Sequence, residues 1–381
     1  MTMRNKVLFI ELNLDPTAGG VERVTQALSE YFNAHGIETF FAFQAYNVNL
    51  IDNRHKIQVN FYNTEREILY DSLSSFIDDN QITIILVQNI ASEQIRYCFK
   101  RLRKERGVEV IYCFHRNPIS SRLSSPSRWI RMKVRIYNFV HGVERKYDFA
   151  DVYEDVDKYV LLSQSYIKPF KQLYHLPDTD KFIAMPNPVP FTLAEPDFVK
   201  KENIVLIIAR FEEQQKNIKG AIDIWADYEM VSEDHSWKLV IGGYGEDYEQ
   251  VLAYAKRLKL SRCAFIGKVE NPVSLYQRAS IYMMTSRYEG YPMTILEAMQ
   301  NGCVPIAYDT FTPIHDMIDD RRSGVIIPPY REKDYVNALL TLTEDKERRI
   351  KMATNAYHKV KQENSIETIG QQWIQLFNND F

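Results

Sequence analysis

The chain has 381 residues, of which 45% are hydrophobic and 25% are charged, as in a folded globular protein. This composition excludes a collagen-like chain, a long disordered chain and a disulfide scaffold. The length is about twice what one hydrophobic core organises, which predicts two domains. The formal net charge of −3 argues against a general nucleic-acid-binding protein.

The charge is distributed unevenly along the chain. Between Arg96 and Lys146 there are 14 Lys and Arg residues but three acids, so this stretch carries an excess of +11. The remaining residues therefore sum to −14. A basic segment inside an acidic protein predicts an anionic surface or ligand nearby.

The first half alternates short apolar runs with amphipathic stretches, a pattern typical of a parallel sheet covered by helices on both faces. We predict strands over residues 7–10, 39–43, 82–87, 108–114 and 159–162. Between the first two strands, apolar residues recur at helical spacing and Gly36 follows where the helix should end. This is a βαβ unit whose helix begins at Gly19-Gly20.

Three prolines within residues 186–190 interrupt the pattern, and we place a hinge there. The alternation then restarts, with strands predicted over residues 204–209, 238–241, 264–266, 281–284, 304–307 and 325–327. The last stretch, residues 346–381, is predicted to be helical throughout. The fold class is therefore α/β, with two doubly wound domains. We assign residues 1–188 and 189–360 to them, and 361–381 to a C-terminal helix that returns toward the first domain.

The cysteines and the apolar runs indicate in which cellular compartment the protein lies. The apolar run at residues 7–10 is too short for a signal peptide, and no stretch reaches the ~20 apolar residues that a membrane span needs. Four scattered cysteines without metal-type spacing predict buried free thiols in a reducing compartment. They are Cys98, Cys113, Cys263 and Cys303. We expect a cytoplasmic protein, or one on the cytosolic face of a membrane.

Two candidate sites follow strands of the first half, since ligands of open α/β sheets bind at the carboxyl ends of the strands. Gly19 and Gly20 let the backbone approach a ligand, and the helix N-terminus attracts an anion. His115 follows the strand at residues 108–114 and can donate or accept a hydrogen bond near neutral pH. The alternatives are an ordinary entry turn and a histidine hydrogen-bonded at the domain surface.

A third candidate site combines Arg210, at the end of a predicted strand, with Lys216, just before a helix expected to start near Asn217. Two cations at the mouth of a sheet suit a diphosphate, arginine by its planar fork and lysine as a point charge. Glu212 and Glu213 lie between them, so pairing with these acids or simple solvation is the alternative.

The strongest pattern is residues 286–299, Ser-Arg-Tyr-Glu-Gly-Tyr-Pro-Met-Thr-Ile-Leu-Glu-Ala-Met. Pro292 favours the first turn of a helix, so Glu289 lies in a strand-to-helix loop and Glu297 lies within the helix. Free N–H groups at the helix start can hold a phosphate or a sugar hydroxyl, and a carboxylate can chelate vicinal hydroxyls. The alternatives are an acid favoured by the helix dipole and a glutamate on a solvated face.

The spacing Glu289-x7-Glu297 in this segment resembles the signature of retaining glycosyltransferases of family 4, also described as glycosyl transferases group 1. The resemblance extends over nearly the whole chain. Its other matches are Gly19-Gly20 with the following Val-Glu-Arg, His115, Pro186-Asn187, Arg210, Lys216, Gly242-Gly-Tyr-Gly245 and Gly267-Lys-Val269. It implies the GT-B fold, in which two Rossmann-like domains, one for the acceptor and one for the nucleotide-sugar donor, face each other across a cleft.

The resemblance also implies roles in the donor domain. Arg210 and Lys216 would neutralise the donor diphosphate and stabilise it as leaving group. Glu289 would lie beside the donor sugar and Glu297 would bind the ribose hydroxyls. The loop between them would contact sugar or phosphate through backbone N–H groups. Its residues are Gly290, Tyr291, Pro292, Met293 and Thr294.

Three further residues receive roles from the resemblance. Gly19 and Gly20 would close over the phosphates, and His115 would hydrogen-bond the donor sugar near the reacting centre. Val269 would contact the base through its main chain. The residues predicted to be catalytic are thus His115, Arg210, Lys216 and Glu289. Fixed cations can stabilise the leaving group, so we expect no metal and no cofactor beyond the nucleotide-sugar substrate.

These expectations define a bacterial enzyme. It would transfer a hexose or N-acetylhexosamine with retention from a nucleotide sugar, UDP being favoured over GDP. The acceptor would be a hydroxyl of a growing surface glycan or lipid-linked saccharide, as in lipopolysaccharide or capsule biosynthesis. The alternatives are a nucleotide-sugar epimerase of the same fold and a catalytically silent nucleotide-sugar-binding protein. Nucleic acid is not an expected partner.

The basic segment has two interpretations. Residues 122–146 mix cations with aromatic and apolar residues, and a basic amphipathic helix of this kind can rest on an anionic bilayer. The alternative is an ordinary helix whose cations face solvent. The first interpretation predicts peripheral contact with the inner face of the cell membrane. The residues assigned to this membrane or acceptor surface are Arg128, Arg131, Lys133 and Arg135.

Overall fold

The computed structural model describes residues 5–15, 19–45, 55–116, 151–189 and 195–378. The chain divides into two compact units. The first comprises Met1–Phe191 together with Ile366–Phe381, and the second comprises Thr192–Ser365.

The first unit is a parallel sheet with helices on its faces. Its strands are β1 (Lys6–Asn13), β2 (Glu38–Ala45), β3 (Lys56–Gln58), β4 (Ile84–Gln88), β5 (Glu109–Phe114), β6 (Lys158–Leu161) and β7 (Phe182–Ala184). Within the described residues they are ordered β3-β2-β1-β4-β5-β6-β7, and every neighbouring pair is parallel. The helices are Gly20–Ala34, Arg66–Asn80, Glu93–Arg106 and Gln164–Tyr174, with a 3-10 helix at Asp151–Asp155.

The composition of the central strands explains this layering. All five residues of β4, Ile-Ile-Leu-Val-Gln, are buried, as expected of a parallel strand covered on both faces. Helices Arg66–Asn80 and Glu93–Arg106 pack on one face of the sheet. Helix Gly20–Ala34 packs against the C-terminal helix Ile366–Phe377, where the Phe32 and Phe377 rings lie 5.2 Å apart. The last helix therefore contributes to the core of the first unit.

The second unit repeats the same architecture. Its strands are β8 (Glu202–Ile208), β9 (Lys238–Gly242), β10 (Cys263–Gly267), β11 (Ala279–Met284), β12 (Val304–Tyr308) and β13 (Val325–Ile327). Among the described residues the order is β10-β9-β8-β11-β12-β13, again parallel throughout. The helices are Glu213–Lys216, Ile218–Val231, Tyr248–Leu258, Val273–Arg278, Met293–Gln300, Ile314–Met317, Glu332–Glu344 and Lys346–Glu363.

Both sheets have the strand order of a Rossmann-like doubly wound fold, which confirms the predicted fold class. In each, the order reverses beside the first strand of the unit: between β1 and β4 in the first, and between β8 and β11 in the second. At such a switch point the loops leave toward opposite faces of the sheet, and the crevice at the carboxyl ends of the strands is the usual ligand site.

The structure corrects some of the predicted elements. Each predicted strand overlaps an observed one, but the strands β3 and β7 were not predicted. Residues 346–381 are not helical throughout: the helix Lys346–Glu363 ends and Ile366–Phe377 begins after two residues. The helix expected to start near Asn217 is confirmed: it starts at Ile218, after the separate helical turn Glu213–Lys216. Of the cysteines, all free, Cys98, Cys113 and Cys303 are buried and Cys263 is half-buried.

Candidate functional site

The switch point of the second unit brings together two loops that carry predicted site residues. One follows β8 and leads through Arg210 into the turn Glu213–Lys216. The other follows β11 and leads through Glu289 into the helix Met293–Gln300. Because β8 and β11 are neighbouring parallel strands, their carboxyl ends deliver both loops to the same edge of the sheet.

At this edge Lys216 and Glu289 form an ion pair. The Lys216 ammonium lies 2.7 Å from Glu289 Oε1, and the two side chains are only 19% and 7% exposed. Gln215 donates through Nε2 to Glu289 Oε2 and to the Tyr288 carbonyl oxygen, both at 3.2 Å. A carboxylate removed from water in this way needs such partners, since an unpaired buried charge is costly. The pair presents a cation and an anion side by side at the mouth of the sheet.

Arg287 fixes the backbone around this pair. Its backbone N–H donates to the Gln215 carbonyl oxygen at 2.7 Å, and its guanidinium donates to Asn217 Oδ1 at 2.5 Å and to the Glu213 carbonyl oxygen at 3.4 Å. Thr285 donates its hydroxyl to the Asn217 carbonyl oxygen at 3.0 Å. We call this set of bonds the Arg287 clamp. It ties the loop after β8 to the loop after β11 and so sets where Lys216 meets Glu289.

Asn217 can serve the clamp because of its backbone conformation. Its φ of 53° and ψ of 46° lie in the left-handed region, which asparagine tolerates better than most residues. It ends the turn Glu213–Lys216 and begins the next helix, and its amide donates to the Thr285 carbonyl oxygen at 3.3 Å. The break between the two helical segments is therefore part of the site's geometry.

Arg210 does not join the pair through any contact among the described residues. Its guanidinium donates to Glu212 Oε1 at 3.0 Å, and the two side chains are 56% and 42% exposed. This is the pairing with a neighbouring acid that the sequence left open as an alternative. An ion pair this exposed contributes little to stability, so it gives no reason to assign Arg210 a structural role.

The helix Met293–Gln300 is anchored at its start. Tyr291, Pro292 and Met293 are buried, whereas Gly290 and Thr294 are half-buried. The Tyr291 hydroxyl accepts a hydrogen bond from Asn364 Nδ2 at 2.9 Å, and burial raises the pKa of this tyrosine. The loop's outer residues remain accessible while its inner ones hold it in place.

Glu297 is buried and does not lie on a solvated face. It is 1% exposed, and Tyr276 donates its hydroxyl to Glu297 Oε2 at 3.2 Å. Burial, followed by the charge of Glu297, raises the pKa of Tyr276 well above its usual value, so the phenol stays protonated and can keep donating. The solvated-face alternative for Glu297 is therefore wrong.

The glycine turn after β9 fits against the start of the loop that carries Arg210. Gly243 has a φ of +145°, and a Cβ there would lie 1.8 Å from the Ala209 carbonyl oxygen. Gly243 N–H donates to the Gly267 carbonyl oxygen at 2.7 Å. Val269 is half-buried, and its side chain fills the space that a Cβ on Gly242 would need. These glycines are required for close backbone packing, whatever ligand binds.

In the first unit, His115 follows β5 as predicted and bonds with Gln88, the last residue of β4. His115 Nε2 and Gln88 Oε1 are 2.5 Å apart, and His115 Nδ1 has no hydrogen-bond partner in the described part of the chain. Burial lowers the pKa of His115 to about 4, so the ring is neutral near neutral pH. With the Gln88 oxygen accepting, Nε2 carries the proton and Nδ1 is an acceptor.

Gly19 and Gly20 stand where the sequence predicted the helix to begin. Gly19 is the residue preceding the helix and Gly20 is its first residue. A Cβ on Gly19 would lie 2.6 Å from Glu22 Oε2, so the missing side chain leaves room for this carboxylate. Thr17 and Ala18, which precede the glycines, lie outside the described residues.

The surface residues Arg128, Arg131, Lys133 and Arg135 also lie outside the described residues, as does Pro190 of the predicted hinge. No helix in the described ranges is long and apolar enough to cross a membrane.

Within those ranges no group of three or more His, Cys, Asp or Glu side chains could hold a metal ion. Three of the four aspartates in the Asp-x-Asp sequences at residues 155–157 and 178–180 make ion pairs. Asp155 pairs with Arg96 and Lys100, and Asp157 pairs with Arg103. In the second stretch, Asp178 pairs with Lys171.

Sequence reasoning missed the side chains that hold the site. They are Gln88, Gln215, Asn217, Tyr276, Thr285 and Arg287. The available signal was their position beside a residue already singled out: Gln215 and Asn217 flank Lys216, and Arg287 lies two residues before Glu289. Tyr276 and Gln88 had no such signal.

Comparison with known proteins now adds to this geometry. The family model described as Glycosyl transferases group 1 matches residues 190–359, most of the second unit. TarM of Staphylococcus aureus has a TM-score of 0.74 at 14% identity, with 99% of each chain covered. HepE of Anabaena, solved in complex with UDP, has a TM-score of 0.72 at 17% identity, covering 98% of this chain and all of HepE. The chain has the GT-B fold.

Curated relatives with this match are glycosyltransferases by name. The poly(glycerol-phosphate) alpha-glucosyltransferase of Bacillus subtilis is 25% identical over 291 residues, which are 72% of this chain but 42% of that protein. The amylovoran biosynthesis glycosyltransferase AmsD of Erwinia amylovora is 31% identical over 48% of this chain and 50% of its own length. These alignments therefore span half or less of the two relatives.

A third relative is matched more completely. The Campylobacter jejuni enzyme that adds N-acetyl-D-galactosamine to a diNAcBac-PP-undecaprenol-linked glycan is 24% identical over 83% of this chain and 86% of its own length. The family match and these names support the GT-B glycosyltransferases as the group to which the chain is related. Family 4 itself stays a prediction.

Proposed function

We propose that the protein is a retaining glycosyltransferase that moves a hexose or N-acetylhexosamine from a nucleotide sugar, UDP being favoured. The acceptor we propose is a hydroxyl of a growing surface glycan or lipid-linked saccharide. The observation that carries the proposal is the arrangement of Lys216, Glu289 and Glu297 at the switch point of the second unit. Its support is that the matching family model spans most of this unit and that HepE, of the same fold, was solved with UDP.

The chemistry that these residues would perform is leaving-group stabilisation. Cleavage of the bond between the sugar and the diphosphate leaves an oxocarbenium-like sugar and a diphosphate that gains negative charge. Lys216 is already held beside a carboxylate, and Arg210 is exposed and paired only weakly with Glu212. A diphosphate bound between these two cations would meet charge that is fixed in advance, which is the most effective form of electrostatic catalysis. We therefore propose that no metal is required.

Glu289 and Glu297 would position the donor. Glu289, anchored by Lys216 and Gln215, would lie beside the donor sugar as an electrostatic or positioning residue. Glu297, held by Tyr276, would bind the ribose hydroxyls. The loop of Gly290, Tyr291, Pro292, Met293 and Thr294 would contact sugar or phosphate, and Val269 would contact the base.

In the first unit, the residues proposed to contact the donor are uncharged. His115, whose Nδ1 is an acceptor, would receive a hydrogen bond from a hydroxyl of the donor sugar. Gly19 and Gly20 would approach the phosphates. Retention of configuration would follow from attack of the acceptor hydroxyl on the face that the diphosphate leaves.

The decisive experiment is a panel of nucleotide sugars tested with the full chain. UDP-glucose, UDP-galactose, their N-acetyl forms and GDP-mannose would be compared by thermal shift, because a bound ligand stabilises the folded state. Hydrolysis or transfer of each stabilising donor would then be measured with and without EDTA. We expect a UDP-sugar to stabilise and to turn over in both conditions.

Site variants connect this activity to the proposed residues. Lys216→Ala and Glu297→Ala are expected to reduce donor binding or turnover by about tenfold or more, since each removes a charge-assisted contact. Lys256→Ala, at an exposed lysine of the same unit, is the matched control. Unchanged kinetics in both site variants would overturn the assignment.

Two other functions are outcomes of the same panel. Conversion of one UDP-sugar into its epimer without an acceptor would identify an epimerase. Binding with neither hydrolysis nor transfer, for every donor and a range of glycan acceptors, would identify a silent binding protein.

We further propose that the basic segment containing Arg128, Arg131, Lys133 and Arg135 contacts an anionic membrane surface. The test is flotation with vesicles that contain phosphatidylglycerol, compared with neutral phosphatidylcholine vesicles. Changing these four residues to Glu should abolish binding to the anionic vesicles. Equal binding by the variant would refute the proposal.

A further inference from the structure

A cavity of about 430 Å³ lies in the first unit, beside the helix Gly20–Ala34 and the strands β1 and β2. Its walls include Glu11 of β1, Thr25 and Glu30 of the helix, and Phe41 of β2. The volume is within the range of about 300–1,000 Å³ that is usual for small-molecule sites. The roles proposed above for Gly19, Gly20 and His115 do not use this cavity.

Glu11 is an unusual residue in this cavity wall. It is 2% exposed, and neither carboxyl oxygen has a hydrogen-bond partner in the described part of the chain. Burial, and then the nearby charge of Glu22, raise the pKa of Glu11 well above its usual value, while the Thr25 hydroxyl opposes this shift. A buried carboxyl without partners costs stability, so its presence indicates a role beyond folding.

The charge of the cavity wall indicates whether the cavity favours an anionic or a cationic ligand. Glu11, Glu22 and Glu30 are all part of it, and none of its described residues is Lys or Arg. His55 is the one basic type among them, and it lies 3.0 Å from Glu38, which also pairs with Lys6. A phosphate or other anion would be repelled, whereas a cation would gain an ion pair with a carboxylate that is otherwise unpaired.

The choice between a metal ion and an organic cation follows from the donor set. No group of three or more His, Cys, Asp or Glu side chains in the described ranges could hold a metal ion. A primary ammonium group needs fewer ligands, since it offers three N–H donors that carboxyl and hydroxyl oxygens can accept.

We propose that this cavity binds a ligand that carries a primary ammonium group, held by the carboxylates of Glu11 and Glu22. Burial favours the protonated carboxyl of Glu11 and the ammonium favours the carboxylate, so binding releases to solvent the proton that Glu11 carries at the pH of the experiment. Glu22 also lies beside Gly19, but binding of the ammonium group does not depend on glycosyl transfer.

The experiment compares two probes that differ in one group. Glucamine carries a primary amine that is protonated at neutral pH, and sorbitol has the same carbon skeleton with a hydroxyl in its place. Binding to the full chain is measured by calorimetry in two buffers of different protonation enthalpy. We expect glucamine to bind about tenfold or more tightly than sorbitol, as expected for a hydrogen-bonded charge pair. We also expect the heat to depend on the buffer, because a proton is released.

Matched variants test whether Glu11 is responsible for the preference for glucamine. Glu11→Gln keeps the shape of the side chain but removes its charge, and it should abolish both the preference for glucamine and the proton release. Glu93→Gln is the control: Glu93 is exposed at the start of the helix Glu93–Arg106 and is not part of the cavity wall, so the preference should remain. Thermal unfolding of each variant confirms that it is folded.

Three results would overturn the proposal: equal affinity for glucamine and sorbitol, no binding of either probe, or a glucamine preference that survives Glu11→Gln. None of these depends on nucleotide-sugar turnover, so the outcome is independent of the donor-site assignment.

Discussion

Replacing Arg287 with Met removes the guanidinium of the Arg287 clamp but keeps a side chain of similar length. The backbone bond from residue 287 to the Gln215 carbonyl oxygen, at 2.7 Å, remains possible. The bonds to Asn217 Oδ1 and to the Glu213 carbonyl oxygen are lost. The perturbation therefore loosens the loop that carries Lys216 without touching Lys216 or Glu289.

The expected magnitude follows from these two bonds. The bond to Asn217 is short, at 2.5 Å, whereas the bond to Glu213 is long, at 3.4 Å, so the first accounts for most of the effect. A hydrogen bond from a charged group is worth about 1.5–3 kcal/mol, and we expect unfolding to become easier by about 2 kcal/mol. A shift of about 1 Å in a catalytic group can cost about a hundredfold in rate, so kcat should fall by about tenfold to a hundredfold.

The assay measures kcat and KM for donor turnover together with the dissociation constant of UDP. If Arg287 positions Lys216, kcat falls more than KM rises, and Arg287→Lys or added guanidinium ion at non-denaturing concentration restores part of the rate. Arg278→Met is the matched control, because Arg278 pairs with Glu202 at the surface of the same unit. A variant that loses stability as expected but keeps wild-type kcat/KM would refute the positioning role.

Three further predictions concern single groups. Tyr276→Phe removes the hydroxyl that donates to Glu297 and should weaken UDP binding by about tenfold, measured by calorimetry. Unchanged affinity would contradict the proposed contact between Glu297 and the nucleotide. Gly243→Ala should lower the unfolding free energy by about 3 kcal/mol or more in urea, because its Cβ would lie 1.8 Å from a carbonyl oxygen. Gly267→Ala is the comparison variant, because Gly267 has a φ of +70° but no atom from another part of the described chain lies within 4 Å of the added Cβ. It should lower the unfolding free energy by only about 1 kcal/mol. His115 has a folded pKa of about 4 against an ordinary 6.5, so the unfolded chain takes up its proton first and stability falls as pH drops through that window. His115→Asn should lose less stability than wild type between pH 6.5 and 4, and parallel pH profiles would contradict the burial.

The sequence predicted the strands well because a long apolar run is stable in water only when the folded chain buries it. Both β4 and β11 are buried at every position, which requires a sheet covered on both faces. The strand β3, Lys-Ile-Gln, contains no apolar run, whereas the equally short β13, Val-Ile-Ile, is such a run and was predicted. The break in the C-terminal helix at Asn364 could not be predicted either. It coincides with a hydrogen bond from Asn364 to Tyr291, which is 73 residues away in the sequence.

The candidate site was predictable in its charged residues but not in its contacts. The pattern around Glu289 and Glu297 predicted a strand-to-helix loop, and the loop is present. That Lys216 meets Glu289 depends on the pairing of β8 with β11, which no local pattern specifies. The clamp is harder still to predict, since Arg287 in isolation is simply a charged residue on a loop.

The uneven charge along the chain also shows what a sequence count cannot predict, namely which charges are neighbours in space. Five cations on the helix Glu93–Arg106 form ion pairs with acids of the first unit. Arg96 and Lys100 contact Asp155, and Arg103 contacts Asp157, both just beyond the basic stretch in sequence. A count that ends at Lys146 therefore includes these cations but excludes the acids that neutralise them, and +11 overstates the basic field of this helix. Electrostatic potential depends on neighbours in space, so the membrane proposal rests on the cations of residues 117–150, and the vesicle experiment changes four of them.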